Sequence, residues 1–349
     1  MKIVIMAGGT GGHIFPGIAV AKELMQQDVQ VLWLGAIGGM EEKIVKQNGI
    51  PLKLLAIKGL RGKGIKGLIT MPFKLLSATL AAKKYFQQEK VNAVLSMGGY
   101  VAAPGGLAAK LKGIPLVVHE QNSKFGMTNK YLAKWAKKVL TGFNLNGLYH
   151  SQWIGNPVRA EIETIKRTKK LTNTLVNVLV IGGSLGAQTL NNQLPELLKP
   201  LLAAKKIAVR HQSGRNKQKQ THENYAEMTN VLVHEFIEDM AEAYAWADII
   251  IARAGALTIA EINAVGLASI LVPYPYAVDD HQTSNAQNIV AQKAGFVWQE
   301  SESKDKLRLA IEKLVDDAEL RTQMAQNSYK LHKPQAAKVA AQICLEVAA

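Results

Sequence analysis

The sequence predicts an α/β protein made of two Rossmann-like, doubly wound domains. Three observations carry that reading. The chain has 349 residues, more than one hydrophobic core usually holds. Two stretches look alike: "KIVIMAGGTGGHIFPGIAVAKEL" at the start and "VNVLVIGGSLGAQTLNNQLPELL" from Val176. Each is an apolar β-rich run, then Gly-Gly, a small hydroxyl residue, another glycine, and a helical pattern. Finally, short apolar runs alternate with helix-length amphipathic stretches through both halves, the rhythm of parallel strands joined by crossover helices.

In chain order, the first half offers strands in "KIVIMA", "VQVLWLG", "AVLSMGG", "PLVVHEQ" and "KVLTG". The segment "AEIETIKRTKKLTNT" after "GNPVR" (155–159) is polar and lacks strand character, so the boundary is expected there. The second half offers "VLVIGG", "IAVRHQSG", "VLVHEFI", "DIIIARAG" and "SILVPYP". The last sixty residues carry only a helical pattern.

Composition excludes some classes. Cys344 is the only cysteine, so no internal disulfide can form. No signal-peptide pattern opens the chain, and "LASILVPYPYAV" is too short and proline-broken to span a bilayer. The net charge of +15 is one-sided: residues 1–160 hold 21 Lys+Arg against 6 Asp+Glu, while residues 161–349 hold 21 of each. Such asymmetry points to a polyanionic partner, nucleic acid or an anionic membrane face. Aromatics are 6% and do not interleave with the basic residues, which disfavours nucleic acid.

The first glycine loop, Gly8–Gly12, fits neither common nucleotide fingerprint. A dinucleotide loop would need glycine at Ile14, and a P-loop would need Gly-Lys-Ser/Thr. Glycines here still allow close backbone approach, and a helix start beside them offers free N–H groups to an anion. His13 sits at that helix start, at the carboxyl end of a strand where doubly wound sheets bind ligands. A helix N-terminus disfavours the imidazolium and keeps the ring able to accept a proton, so His13 is the expected general base. The plainer alternatives are turn-forming glycines and a structural histidine.

In the second half, "GGSLGAQ" offers Ser184 and backbone amides to a phosphate. "RAGALTIAE" places Ala256, Leu257, Thr258, Ile259 and Ala260 at a helix start, with Glu261 able to accept from ribose hydroxyls or to serve only as a capping carboxylate. In "YAVDDHQTSNAQ" the Gln282 amide can hydrogen-bond a sugar, whereas Asp279, Asp280 and His281 are too close in sequence to converge on one ion. No Asp-x-Asp pair occurs, so no metal is expected. In residues 59–86, Arg61, Lys63, Lys66, Lys74, Lys83 and Lys84 interleave with Leu68, Ile69, Met71, Phe73, Leu75 and Leu76 around a helix expected to begin near Pro72. This reads as a shallow membrane foot or as core with a solvated basic face. The charge asymmetry favours the foot.

Taken together, "GGTGGHIFPG", "GLRGKGIKG", "MGGYVAAPGGLAA", "HEQN", "GNPVR", "GGSLGAQ", "HQSG", "YAWAD" and "RAGALTIAE" resemble, in order, the bacterial UDP-N-acetylglucosamine–N-acetylmuramyl-(pentapeptide) pyrophosphoryl-undecaprenol N-acetylglucosaminyltransferases of peptidoglycan synthesis. The resemblance runs from Met1 to about Gln287. It implies the glycosyltransferase B fold, with two domains facing a cleft: residues 1–159 plus 335–349 on the acceptor and membrane side, residues 160–334 on the UDP-GlcNAc side. It implies inverting GlcNAc transfer to the 4-hydroxyl of MurNAc in undecaprenyl-diphospho-MurNAc-pentapeptide, without metal or cofactor. It also implies peripheral attachment to the cytoplasmic face of the inner membrane, in the company of wall-synthesis and division proteins.

Carried over by residue, the resemblance implies donor contacts at Thr10, Gly11, Gly12, Asn122, Arg159, Ser184, the Ile237 backbone, Ala256 to Glu261, and Gln282. Gly8, Gly9 and Tyr100 fall on the acceptor side, with Glu120 as the second candidate base. The foot is expected at Lys66, Ile69, Phe73 and Leu76. Two positions depart from the pattern, Ala254 where members carry Ser and His281 where they carry Gln. Three rivals stay open at this level. They are another enzyme of the fold (a UDP-GlcNAc 2-epimerase or diacylglycerol glycosyltransferase), a nicotinamide-dependent dehydrogenase, and a non-enzymatic nucleic-acid- or membrane-binding protein.

Overall fold

The computed structural model describes residues 1–57, 64–145, 147–165, 175–183, 185–226 and 228–349, without the side chains of 64–69 and 278. The chain divides into two units, Met1–Arg159 with Gln335–Ala349, and Ala160–Pro334.

The first unit runs β1 (Lys2–Ala7), α1 (Gly11–Met25), β2 (Gln30–Ala36), α2 (Glu41–Gln47), β3 (Leu52–Leu55), α3 (Gly64–Glu89), β4 (Ala93–Gly98), α4 (Ala102–Lys112), β5 (Leu116–Glu120), α5 (Met127–Leu132), β6 (Lys138–Thr141) and β7 (Gln152–Trp153). Among the described residues these strands form one sheet in the order β3-β2-β1-β4-β5-β6-β7. The paired strands are parallel.

The second unit runs α6 (Ala160–Glu163), β8 (Val176–Ile181), α7 (Gln188–Ala203), β9 (Ile207–Gln212), α8 (Gln218–Tyr225), β10 (Val231–His234), α9 (Met240–Trp246), β11 (Ile249–Ala252), α10 (Ala256–Val265), β12 (Ala268–Leu271), α11 (His281–Ala291), β13 (Phe296–Val297), α12 (Lys304–Asp316) and α13 (Ala318–Lys330). Its sheet order is β10-β9-β8-β11-β12-β13, again parallel throughout. The final helix, α14 (Ala336–Ala348), belongs to the first unit.

Both sheets are buried on two faces, which explains their near-continuous apolar strands. In β1, Ile3, Ile5 and Ala7 pack with α1 and α14, whose Ala337, Ala340, Ala341 and Cys344 face that core. Val4 and Met6 pack on the other side with α3 and α4, through Ala78, Ala82, Phe86, Ala108 and Ala109. Fully burying each large aliphatic side chain contributes about 1.5–3 kcal/mol.

In each sheet the strand order reverses beside the first strand, between β1 and β4 and between β8 and β11. Both glycine loops leave the sheet at these points, where open α/β sheets bind ligands. One expectation shifts. The basic helix does not begin near Pro72: α3 runs unbroken from Gly64 with Pro72 inside it. No helix of the described residues is long and apolar enough to cross a membrane.

Candidate functional site

The first loop is built from two crossovers pressed together. A β-carbon on Gly99, which has φ +85°, would lie 2.2 Å from the Gly8 carbonyl oxygen. Only glycine allows that approach and that backbone angle. Thr10 precedes α1 without a side-chain cap, and the first intrahelical bonds come from His13 and Ile14 N–H to the Thr10 carbonyl, at 3.1 and 3.3 Å. The amides of Gly11 and Gly12 therefore lie ahead of the helical ladder, available to an anion.

His13 Nδ1 lies 3.3 Å from Thr10 Oγ1. Its other edge faces β4, where a β-carbon on Gly98 would sit 3.1 Å from His13 Nε2 and 3.6 Å from Asn129 Nδ2. Arg159 lies over the Phe15 ring in the first turn of α1, 5.7 Å from its centroid. Tyr100 is 52% exposed, with its ring edge 3.8 Å from where a Gly9 β-carbon would be. Thr10, Gly11, Gly12, His13, Tyr100 and Arg159 are thus brought together.

The side chains of "HEQN" bind one another and their own loop. Glu120 is buried, and all four hydrogen bonds it accepts come from its own neighbourhood. Oε1 takes the N–H and Nδ2 of Asn122, at 3.1 and 3.2 Å. Oε2 takes Gly126 N–H and Asn129 Nδ2, at 3.1 and 3.0 Å. Burial raises its pKa above the usual carboxylate value, against the opposing pull of these bonds. Its oxygens are spent on holding the loop, which argues against it as the base. Asn122 is turned onto Glu120 in the same way.

His119 is also structural. Nε2–H donates to the Gly155 carbonyl at 3.0 Å, while Nδ1 accepts from Gln121 Nε2 at 3.2 Å. Burial pushes its pKa down to about 4, so it stays neutral. Asn156 Nδ2 donates to the Gln121 carbonyl at 3.0 Å, locking "GNPVR" onto "HEQN".

The second unit repeats the construction. Gly186 and Gly214 interlock: a β-carbon on Gly186 would lie 1.8 Å from the Ser213 carbonyl oxygen. His211 supports this contact through Tyr225 and Asn191, and Asn191 Nδ2 donates to the Ser213 carbonyl at 2.9 Å. Burial pushes the His211 pKa down to about 3. Gln212 Nε2 donates to the Gly183 carbonyl at 3.1 Å, and its Oε1 accepts from Ile237 N–H at 2.9 Å. The Ile237 N–H is therefore committed within the fold.

At α10, Gly255 is the N-cap and offers no side-chain cap. Ile259 N–H makes the first intrahelical bond, to the Gly255 carbonyl at 2.9 Å, so Ala256, Leu257 and Thr258 form the first turn and Ala260 follows it. Glu261 is buried one turn on, with Oε2 accepting from the Tyr244 hydroxyl at 2.9 Å. Gln282 Oε1 accepts from Tyr274 N–H at 2.9 Å, which leaves its amide to donate. Among the described residues no three His, Cys, Asp or Glu side chains group as metal ligands.

Ser184 lies outside the described residues, as do Arg61 and Lys63 and the side chains of Lys66, Leu68 and Ile69. The rest of the expected foot is present. Phe73 and Leu76 are 73% and 58% exposed, and Leu80 joins them at 52%. Their i, i+3, i+7 spacing sets them on one helix face.

Glu41 is a residue that sequence reasoning missed. It is fully buried beneath the first loop, with Oε1 accepting from Ala36 N–H at 2.9 Å and Oε2 from Gly9 N–H at 3.3 Å. Gly9 N–H therefore points down into the fold. In sequence Glu41 looks like an ordinary acidic residue in a helix first turn. The only cue was the pair of glycines just before it.

Residues 3–141 match the glycosyltransferase family 28 N-terminal domain, and residues 177–342 match its C-terminal domain. The chain is 46% identical over 351 residues to the UDP-N-acetylglucosamine–N-acetylmuramyl-(pentapeptide) pyrophosphoryl-undecaprenol N-acetylglucosamine transferase of Xanthomonas axonopodis pv. citri, covering 99% of this chain and 82% of that one. Its identity to the transferase of the same name from Alkalilimnicola ehrlichii is 45%, covering 100% and 99%. Among solved structures, Acinetobacter baumannii MurG aligns with a TM-score of 0.84 at 39% identity over 99% of both chains. With both halves matched and such identity along its whole length, the chain belongs to glycosyltransferase family 28 and, within it, to the UDP-N-acetylglucosamine–N-acetylmuramyl-(pentapeptide) pyrophosphoryl-undecaprenol N-acetylglucosamine transferases.

Proposed function

We propose that the protein moves GlcNAc from UDP-GlcNAc to the 4-hydroxyl of MurNAc in undecaprenyl-diphospho-MurNAc-pentapeptide, with inversion and without a metal. The observation that carries the mechanism is His13, set at the open start of α1 between Thr10 and Gly98. In the tautomer whose Nδ1–H donates to Thr10 Oγ1, Nε2 is the ring nitrogen that takes the proton of the attacking hydroxyl. The O4–C1 bond forms on the face opposite UDP as the C1–oxygen bond to UDP breaks, and the electron pair leaves on the diphosphate. The first turn of α10 and the Arg159 guanidinium meet that charge. Glu261 accepts from the ribose, the Ile237 carbonyl faces the base, and the Gln282 amide donates to the sugar. The Gly11 and Gly12 amides, which the resemblance counts among the donor contacts, are assigned here to the acceptor diphosphate, with Gly8 and Gly9 shaping the loop beneath and Tyr100 at its rim.

The deciding experiment is transfer of label from UDP-[14C]GlcNAc to a lipid-linked MurNAc-pentapeptide acceptor in excess EDTA. We expect label in the lipid fraction. Free sugar alone, or loss of transfer on chelation, would overturn the acceptor or the metal-free reading respectively.

Membrane attachment at the cytoplasmic face follows from the same acceptor. Phe73, Leu76 and Leu80 form an exposed apolar row, with Lys74 and Lys84 exposed around it. Anionic headgroups and acyl chains fit that pairing. Replacing the three apolar residues by Ser weakens binding to phosphatidylglycerol vesicles by about two orders of magnitude, with transfer to a short-chain, water-soluble acceptor retained. Unchanged vesicle binding would exclude α3 as the foot.

A further inference from the structure

Arg253 stands two residues before Gly255, the N-cap of α10. A cation so close to a helix start invites assignment as a phosphate ligand. The structure spends it elsewhere. Nη1 donates to the carbonyls of Val272 and Pro273, at 3.3 and 3.1 Å. Nη2 pairs with Glu300 Oε1 at 2.5 Å, with the two side chains only 12% and 20% exposed. The guanidinium lies 5.5 Å from the centre of the Tyr274 ring.

These contacts tie together the ends of three strands. Arg253 follows β11, Val272 and Pro273 follow β12, and Glu300 lies three residues beyond β13. The loop they hold carries Tyr274, whose N–H fixes Gln282 Oε1 at 2.9 Å. From the other side, Asn285 Nδ2 donates to the Ala254 carbonyl at 3.2 Å. The Gln282 side chain is thereby oriented from one end, its amide left to donate.

We propose that Arg253 and Glu300 act as a positioning pair for the donor sugar: they fix the 272–282 loop so that Gln282 addresses GlcNAc, and they make no direct contact with the diphosphate. This rests on the reading of the second unit as the UDP-GlcNAc site. A guanidinium suits the task because its planar fork reaches two carbonyls and a carboxylate at once, which a lysine ammonium cannot do in the same geometry. Its pairing with Glu300 also cancels the charge that a phosphate ligand would need.

The test compares Arg253→Lys and Glu300→Gln with the wild type, reading KM for UDP-GlcNAc in the transfer assay and Ki for UDP. We expect KM for UDP-GlcNAc to rise about tenfold in both variants, the scale of one misplaced hydrogen bond. Ki for UDP should stay within about twofold, since UDP lacks the sugar. Gln282→Ala should give the same split, and combining it with Arg253→Lys should add little, because the residues act through one contact.

If Arg253 touched phosphate, the signs would differ. Arg253→Lys would then weaken UDP and UDP-GlcNAc together, and Glu300→Gln would free the cation and tighten both. Either result overturns the proposal, as does unchanged KM in both variants. A wild type that neither binds nor consumes UDP-GlcNAc would instead remove the donor reading on which the proposal stands.

Discussion

Replacing His13 by Ala should lower turnover by about 10²–10⁴-fold, the usual contribution of a positioned general base, while KM for UDP-GlcNAc stays near the wild-type value. The reasoning is local. His13 sits in the first unit, where Thr10 Oγ1 lies 3.3 Å from Nδ1 and the other ring edge faces Gly98. The donor contacts proposed for Ile237, Ala256 to Glu261 and Gln282 all lie in the second unit. A lost base therefore affects the chemical step and not donor capture, which appears as a change in kcat with KM preserved. Glu120 does not offer the same test, because four local donors depend on its carboxylate and its removal would disturb the whole 120–129 loop. If His13→Ala keeps most of its turnover, the base is elsewhere and the open start of α1 serves only to bind the acceptor.

The parts of this arrangement that were legible in the sequence share a physical cause. Strands such as "KIVIMA" and "DIIIA" read clearly because both their faces are buried, and the glycine loops stood out because close backbone contact excludes every side chain over several consecutive positions. The structure accounts for the second point with the contacts of Gly99 on Gly8 and of Gly186 on Ser213. Short edge strands were not legible: β3, β7 and β13 have four, two and two residues, too few to show a period. Pro72 misled because proline usually marks a helix start, whereas here it lies inside one.

Roles set by distant partners were equally hidden. The sequence offered Glu120 as a second candidate base, yet its carboxylate is engaged by Asn122, Gly126 and Asn129, and the sequence said nothing of the bond from His119 to the Gly155 carbonyl. Arg253 and Glu300 are 47 residues apart in sequence, and nothing in either neighbourhood announces the pair.

Glu41→Ala should be the most damaging change in the first unit outside the reactive residues. The carboxylate closes a cage. β-Carbons placed on Gly39, Gly8 and Gly35 would fall 2.2, 2.5 and 2.8 Å from Glu41 atoms, so backbone packs directly around it. Removing it leaves the N–H groups of Ala36 and Gly9 without their acceptor in a buried site, at about 1–3 kcal/mol each, and opens a cavity besides. A total of about 3–5 kcal/mol corresponds to a fall in Tm on the order of 10 °C for a unit of this size.

Activity should suffer as well. Gly9, held at φ +93°, leads directly into Thr10 and the α1 start, so a loosened loop displaces His13 and the Gly11 and Gly12 amides together. Glu41→Gln is the informative companion. It keeps an acceptor for one N–H but turns an amide N–H₂ toward the other, so its loss of stability should fall between wild type and Ala. Calorimetry on the three proteins, with kcat measured at a temperature where all are folded, separates the two effects. A Glu41→Ala protein that melts within about 2 °C of wild type and turns over normally would show that the glycine loop holds its shape without the buried carboxylate.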